Sequence, residues 1–113
     1  MSVLERGSRL LSCVMPKGLG LPLLRRLSDE LGVITADVHS ARGFSDSDAR
    51  GVFNRMERDV LSAVVPSHRA EEIFQWLLQE AEVVTQRGRF LYMVRLQGST
   101  PFRLPEDVPP EQI

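Results

Sequence analysis

Short apolar runs and amphipathic stretches alternate along this chain, and their order constrains its fold more than any other feature. The apolar runs are bounded by glycine or proline, and their length and residue types predict strands. They occupy residues 9–15, 33–39, 59–65 and 89–96. Residues 22–31 and 68–81 carry apolar side chains at helical intervals, which predicts two helices. Gly32 supplies a left-handed end for the first helix, and Ser67 is the expected N-cap of the second.

The predicted order is therefore strand, helix, strand, strand, helix, strand. This is a split βαβ unit repeated, and it predicts a ferredoxin-like βαββαβ fold of the α+β class, with an antiparallel four-stranded sheet and both helices on one face. We expect this domain to span residues 9–98, after a short segment at 1–8. A proline-rich tail at 99–113 follows, either docked or loosely ordered. A chain of 113 residues suits one domain, because its halves would be too small to bury a core.

Composition argues against several classes of protein. Fourteen Lys and Arg against fifteen Asp and Glu give a formal net charge of −1, so no general attraction to nucleic acid is indicated. One cysteine cannot form an internal disulfide, and no apolar run approaches the ~20 residues that span a bilayer. The first residues lack the apolar core of a secretion signal. We therefore expect a cytoplasmic protein that neither binds nucleic acid nor inserts into a membrane.

The predicted strands are apolar on both faces, although two helices can cover only one face of the sheet. In the first strand, Leu10 and Val14 lie on one face, and Leu11, Cys13 and Met15 lie on the other. In the last strand, one face carries Phe90, Tyr92, Val94 and Leu96. Each exposed large aliphatic side chain forgoes roughly 1.5–3 kcal/mol of burial. We therefore predict that copies of the chain, a trimer in our interpretation, assemble through the uncovered face; the alternative is that the proline-rich tail folds over it.

A long irregular stretch at residues 42–56 points to function more than any other segment. Segments of this length without a clear period are typically binding loops or mobile segments. Its arginines are of the type that binds a phosphate or an acidic protein surface. The alternative is that they are ordinary solvated side chains. We predict that this loop contacts a protein partner. The candidate contact residues are Phe44, Asp46, Asp48, Arg50, Phe53 and Arg55.

Two further places suggest binding. Gly88 and Arg89 lie at the entrance to the last strand, and Arg103 follows its exit. Glycine lets backbone N–H groups approach an anion and arginine supplies a bidentate fork, although a solvated turn would look the same. Trp76 lies off the buried stripe of its helix, which indicates either the rim of an interface or the lid of a pocket.

The sequence gives little support for catalysis or for metal binding. No nucleophile and base can be paired and no catalytic motif is present, so we do not expect an enzyme. His39 ends a predicted strand, His68 opens a helix, and Cys13 lies in mid-strand, where a small core residue is expected. Residues so scattered do not predict a metal site.

Four stretches resemble the nitrogen regulatory protein P-II family. Residues 64–73, which read VVPSHRAEEI, are similar to that family's strand-to-helix passage. Residues 15–19 (MPKGL) resemble its turn after strand one, and residues 42–44 (RGF) resemble the step that opens its T-loop. Residues 88–92 (GRFLY) look like the end of its B-loop running into strand four.

The resemblance implies a homotrimer whose three inter-subunit clefts bind ATP or ADP, and whose T-loops engage a transporter, an enzyme or a regulator. By the same resemblance, Arg89 takes the place of the B-loop lysine near the nucleotide phosphates, with Gly88 beside it. Arg103 is similar to one of the C-loop arginines, and Arg42 and Gly43 lie at the T-loop base.

The chain also departs from that family. The family's glycine-rich B-loop pattern is reduced in this chain to TQRGR at residues 85–89. At residues 45–47, SDS replaces the family's Gly-Arg-Gln, whose glutamine serves magnesium and 2-oxoglutarate. The only tyrosine, Tyr92, lies in the last predicted strand, so the modified tyrosine of the T-loop is missing. These departures argue against classical sensing of 2-oxoglutarate.

Two other functions stay open at this point. A CutA-like metal-responsive trimer shares the predicted architecture, and it would require Cys13, His39 and His68 to converge. A structural interaction module that binds no ligand is the third possibility.

Overall fold

The computed structural model describes residues 7–44 and 55–100. Six elements follow one another in the predicted order. They are β1 (Arg9–Pro16), α1 (Gly20–Leu31), β2 (Ala36–Phe44), β3 (Arg55–Val65), α2 (Ser67–Glu80) and β4 (Phe90–Arg95).

The strands form one antiparallel sheet in the order β2-β3-β1-β4. Its register is defined by Cys13, which pairs with Leu61 of β3 on one side and with Leu91 of β4 on the other. Leu61 pairs in turn with Val38 of β2. This α+β arrangement of four antiparallel strands and two helices is compatible with a ferredoxin-like fold.

Both helices contribute to one hydrophobic core on one side of the sheet. Alternate residues of the strands face the helices, and Leu11 and Leu61 are fully buried there. Leu27 of α1 and Ile73 and Leu77 of α2 are fully buried in the same cluster. The helical spacing of these residues explains why each helix presents one apolar stripe to the sheet.

The second strand lies later in the chain than predicted. The sequence pattern predicts this strand at residues 33–39, whereas β2 runs from Ala36 to Phe44, so that His39 lies inside the strand. The reason is the end of α1: the N–H of Val33 donates to the Leu27 carbonyl at 3.4 Å, and Gly32 adopts a left-handed φ of 69°. The chain thus becomes extended only after α1 has been capped.

The irregular stretch predicted at residues 42–56 is shorter at both ends. The β2–β3 pairing continues to Phe44 opposite Arg55, so residues 42–44 and 55–56 belong to strands. Ladder hydrogen bonds between neighbouring strands override the weak local pattern here. Residues 45–54, with the candidate contacts Asp46, Asp48, Arg50 and Phe53, lie outside the described residues.

The first helix begins against the sheet at a position where only glycine fits. A Cβ atom on Gly20 would lie 2.7 Å from Cγ1 of Val38 and 3.0 Å from Oδ2 of Asp59. The buried Asp59 carboxylate accepts hydrogen bonds from the backbone N–H groups of Gly18, at 2.9 Å, and Gly20, at 3.0 Å. A side chain of β3 therefore caps α1, since helix N-termini leave N–H groups unsatisfied.

The second helix is not capped as predicted. Ser67 is its first residue instead of its N-cap, and the N-cap, Pro66, provides no side-chain hydrogen bond. Pro66 is extended, with ψ of 152°, and its carbonyl accepts from the N–H of Arg69 at 3.0 Å. The fixed φ of proline makes this start of the helix favourable without a hydroxyl cap.

Replacing Asp59 with alanine should destabilise the fold, because two backbone donors at the start of α1 lose their acceptor. We expect the free energy of unfolding to fall by about 1–2 kcal/mol. Urea denaturation followed by circular dichroism measures this difference. Asp37→Ala, at an exposed position of β2, is the control and should leave the midpoint unchanged. Equal midpoints for both variants would mean that the cap adds nothing to stability.

Candidate functional site

The sheet face turned away from the helices is apolar, half-buried on β1 and β3 and exposed on β4. In the ladder, Val14 of β1 lies between Val60 and Phe90, and Leu10 lies between Val64 and Val94. We call this surface the open face; its apolar members are Leu10, Val14, Val60, Val64, Phe90, Tyr92 and Val94. The exposed fractions of Phe90, Tyr92 and Val94 are 60%, 40% and 44%. The two-sided apolar character predicted from the strands is therefore present in the sheet.

The apolar part of the open face is concentrated on β4, β1 and β3. Phe90 and Tyr92 lie side by side on β4, with ring centroids 5.6 Å apart. The β2 side of the same face is polar, since Asp37 pairs with Ser62 and His39 with Val60. The tail at residues 101–113, the alternative cover for this face, lies outside the described residues.

One end of the sheet gathers basic residues. Pro16, the last residue of β1, pairs with Arg58 of β3, and Phe90, at the start of β4, pairs with Val14. The basic residues with their backbone at or beside this end are Lys17, Arg42, Arg55, Arg58, Arg87 and Arg89. Among the described residues, the acidic residues there are Glu57, Asp59, Glu80 and Glu82. Glu57 pairs with Lys17, Asp59 caps α1, and Glu80 and Glu82 pair with Arg26 and Arg89. We call this the basic end.

The predicted anion-binding residues reach the basic end from opposite edges of the sheet. Arg42 and Gly43 lie near the end of β2, whereas Gly88 and Arg89 lead into β4. Strands β3 and β1 separate the two edges, so about 14 Å lies between them at ~4.8 Å per strand. The structure does not bring the two pairs together within one chain. Arg103 lies outside the described residues.

Arg89 binds its own chain. Its Nη1 donates to the Ala81 carbonyl at 2.9 Å and to Oε2 of Glu82 at 3.2 Å, and its side chain is only 14% exposed. These contacts join the end of α2 to the start of β4. Gly88 beside it has a φ of 77°, and its carbonyl accepts from Nη1 of Arg58 at 3.4 Å.

The residues required for a metal site do not converge. Cys13 is fully buried on the helix side of the sheet, as predicted for a core residue, and burial raises the pKa of its thiol to about 11, against the opposing charge of Arg89. His39 pairs with Val60 and therefore belongs to the other face, and His68 is exposed at the start of α2. In residues 7–44 and 55–100, no group of three or more His, Cys, Asp or Glu residues could hold a metal ion.

Trp76 packs at the junction of the two helices. It is half-buried against the core, and the guanidinium of Arg26 on α1 lies 5.4 Å from its ring centroid. Arg26 also donates to Glu30 at 2.8 Å and to Glu80 on α2. Trp76 in addition borders a groove of about 490 Å³ along α2 with Gln75. The ring therefore supports the helix junction as well as lining a pocket.

Sequence reasoning missed the polar residues that position the helices. Asp59 lies on the core-facing side of β3, on the same face as Leu61 and Ala63. An acidic residue among the core positions of a strand is the sequence signal that indicates a buried polar contact of this kind. Arg26 gave no such signal, because its partner on α2 is far away in sequence.

In the described residues, neither helix is long and apolar enough to cross a membrane. Comparison with models of protein families gives no match for this chain, and comparison with curated proteins gives none either. Its function is therefore argued from the geometry of the open face and the basic end.

The Arg26–Glu30 hydrogen bond holds the pKa of the Glu30 carboxyl below its ordinary value of 4.5. The contact should therefore stabilise the fold above that ordinary pKa and lose its effect as the pH falls through the lower, folded-state pKa. We expect Arg26→Met to return the pKa of Glu30 towards 4.5, measured by NMR titration of the side-chain carboxyl. Arg25→Met is the control, at an exposed position next in sequence, and should leave it low. An unchanged pKa in Arg26→Met would contradict the assignment.

Proposed function

We propose that this protein is a cytoplasmic, non-enzymatic and P-II-like homotrimer. It binds an adenine nucleotide, or a similar anion, between subunits and acts on a transporter or an enzyme through residues 42–56. The observation that carries the proposal is the apolar open face, where Phe90, Tyr92 and Val94 remain exposed in a single chain.

The open face supports assembly through its area and chemistry. Apolar side chains of three neighbouring strands form two rows of the ladder, on either side of the row Ser62, Ser12 and Tyr92, and such a patch is typical of an interface between proteins. Burying Phe90 and Val94 against another copy would recover roughly 1.5–3 kcal/mol for each side chain. A second chain offers the same surface, so a self-complementary or cyclic contact needs no other partner.

The strand order supports a ring. The two edges of the sheet, β2 and β4, run antiparallel to their neighbours and differ in sequence. A cyclic assembly can place the β2 edge of one copy beside the β4 edge of the next while the open faces line the interior. Arg42 and Gly43 of one subunit would then lie beside Gly88 and Arg89 of its neighbour. The resemblance to the P-II family is our reason for proposing three subunits in this ring.

The basic end supports an anion as ligand. Basic residues from the strand ends raise the local positive potential, and the guanidinium of Arg58 lies against the left-handed Gly88, 3.0 Å from where a Cβ atom would stand. Phe44 and Arg55, the two ends of the segment 42–56 that the structure describes, form the last described pair of the β2–β3 ladder at this same end. A ligand that binds one state of that segment more tightly would shift its population and thereby regulate a target.

A ligand-free interaction module is the second candidate, favoured by the contacts of Arg89. Its Nη1 already has two partners in its own chain, and the carbonyl of Gly88 has one. In that case the open face would serve assembly alone, and the loop would dock without control by a ligand. Nucleotide binding distinguishes the two candidates.

Sedimentation at micromolar concentration should give three times the chain mass of 12.7 kDa. Val94→Glu places a charge on the open face, and we expect it to yield a folded monomer because the buried carboxylate would oppose association. Val84→Glu is the control, since Val84 is exposed in the turn after α2, away from the open face. A wild-type protein that sediments as a folded monomer would sink the proposal.

Calorimetry with ATP, ADP and AMP tests the ligand. We expect heat of binding for at least one nucleotide at or below about 1 mM, and its loss in the monomeric Val94→Glu variant, because the site needs two subunits. No heat for any of the three would remove the nucleotide and favour the interaction module. Undiminished binding by the monomer would place the site within one chain.

A further inference from the structure

Two connections at the basic end carry large apolar side chains that remain exposed in the chain. Leu19 and Leu21 lie where α1 begins, and their exposed fractions are 41% and 49%. Val84 lies in the turn between α2 and β4 and is 79% exposed. We call these three residues the apolar tip. Single exposed apolar residues are common on protein surfaces, so the tip is informative only through its surroundings.

The two parts of the apolar tip belong to one corner of the molecule, because the helices are joined where α1 begins and α2 ends. Arg26, in the second turn of α1, donates to Glu80, the last residue of α2. Leu19 and Glu82 line the same cleft, of about 220 Å³, and Val84 follows Glu82 by two residues. The apolar tip is therefore one part of the molecular surface.

Two arginines without a partner flank the apolar tip. Arg25 lies four residues after Leu21, on the same side of α1, and Arg87 lies three residues after Val84. Both arginine side chains are exposed. In the part of the chain that the structure describes, neither of them makes a hydrogen bond or an ion pair.

The acidic residues of the basic end do not neutralise these two arginines. Of the four that are described, three pair with other basic residues, and the buried Asp59 caps α1. Positive charge is therefore left over beside the apolar tip, and Arg25 and Arg87 carry it on long side chains that can turn towards a partner.

We propose that the apolar tip and its two free arginines dock on an anionic lipid surface. The headgroup charge attracts the arginines, while the three apolar side chains enter the boundary between headgroups and acyl chains. All of these residues lie at one end of the molecule, on connections and on the start of a helix. From there they can reach a flat surface together, and none of them needs a concave site in the partner.

Assembly strengthens this docking, and this step rests on the proposed function. In a cyclic trimer with its open faces inward, the subunits are related by rotation about one axis, so their basic ends lie on the same side of the ring. Three weak contacts with one membrane then act together and raise the overall affinity. Residues 42–56 belong to the same end, so a docked ring would present them to a transporter in that membrane.

Co-sedimentation with lipid vesicles tests the proposal. We expect the protein to bind phosphatidylcholine vesicles with about 30% phosphatidylglycerol at about 50 mM salt, and to be released at about 500 mM salt, where the Debye length is roughly 4 Å. Vesicles of phosphatidylcholine alone should bind at least about tenfold more weakly. No binding at the lower salt concentration, or equal binding to the two kinds of vesicle, overturns the proposal and leaves the apolar tip to a protein partner.

Two pairs of variants locate the contact. Arg87→Glu should weaken binding to the anionic vesicles at least about fivefold, whereas Arg95→Glu makes the same change of charge at the far end of β4 and should leave it nearly unchanged. Leu21→Ala should weaken binding several-fold. Its control is Ile34→Ala, because Ile34 is 56% exposed beyond the other end of α1. Equal effects within either pair would contradict the assigned surface.

The monomeric Val94→Glu variant separates this inference from the proposed function. It should bind the anionic vesicles at least about tenfold more weakly than the trimer, because only one end can dock. Equal affinity of trimer and monomer would contradict the shared orientation of the three ends. A wild-type protein that is monomeric and still prefers anionic vesicles would contradict the ring while supporting the docking surface.

Discussion

Two helices cover this four-stranded sheet on one side only, while its strands carry apolar residues on both sides. On the covered side, Leu11, Leu61 and Ile73 are fully buried and form the core of the chain. On the other side, the same alternation leaves Phe90 and Val94 exposed. Apolar burial drives folding and association alike, so one face stabilises the subunit and the other supplies the driving force for the assembly that we propose.

The polar groups inside the chain serve the ends of its helices. Asp59 accepts from the N–H of Gly20, the first residue of α1, and from that of Gly18 before it, and Arg89 donates to the Ala81 carbonyl at the end of α2. Helix ends leave such groups unsatisfied, and side chains from neighbouring strands must supply the partners. This requirement concentrates charged residues where α1 begins and α2 ends. The basic end adjoins this junction, and Arg89 lies where the two meet.

Much of the fold could be predicted because the chain's local patterns agree with one another. The spacing of Leu23 and Leu27 indicated α1, and Gly32 ends it as expected. The errors arose where a distant contact decides the local structure. Val33 completes the end of α1 before β2 begins, and pairing with β3 extends β2 to Phe44. The candidate site was less predictable, since the partners of Arg89 became known only from the packed chain.

The order of the elements and the apolar character of both strand faces follow from the sequence alone, because periodicity is a local property of the chain. Which residues are neighbours in space depends on the packed chain. It placed Cys13 and His39 on opposite faces of the sheet, and it placed Arg42 and Arg89 on opposite edges at the same end. Strand order and register depend on the packing of the whole core, and no local pattern encodes them.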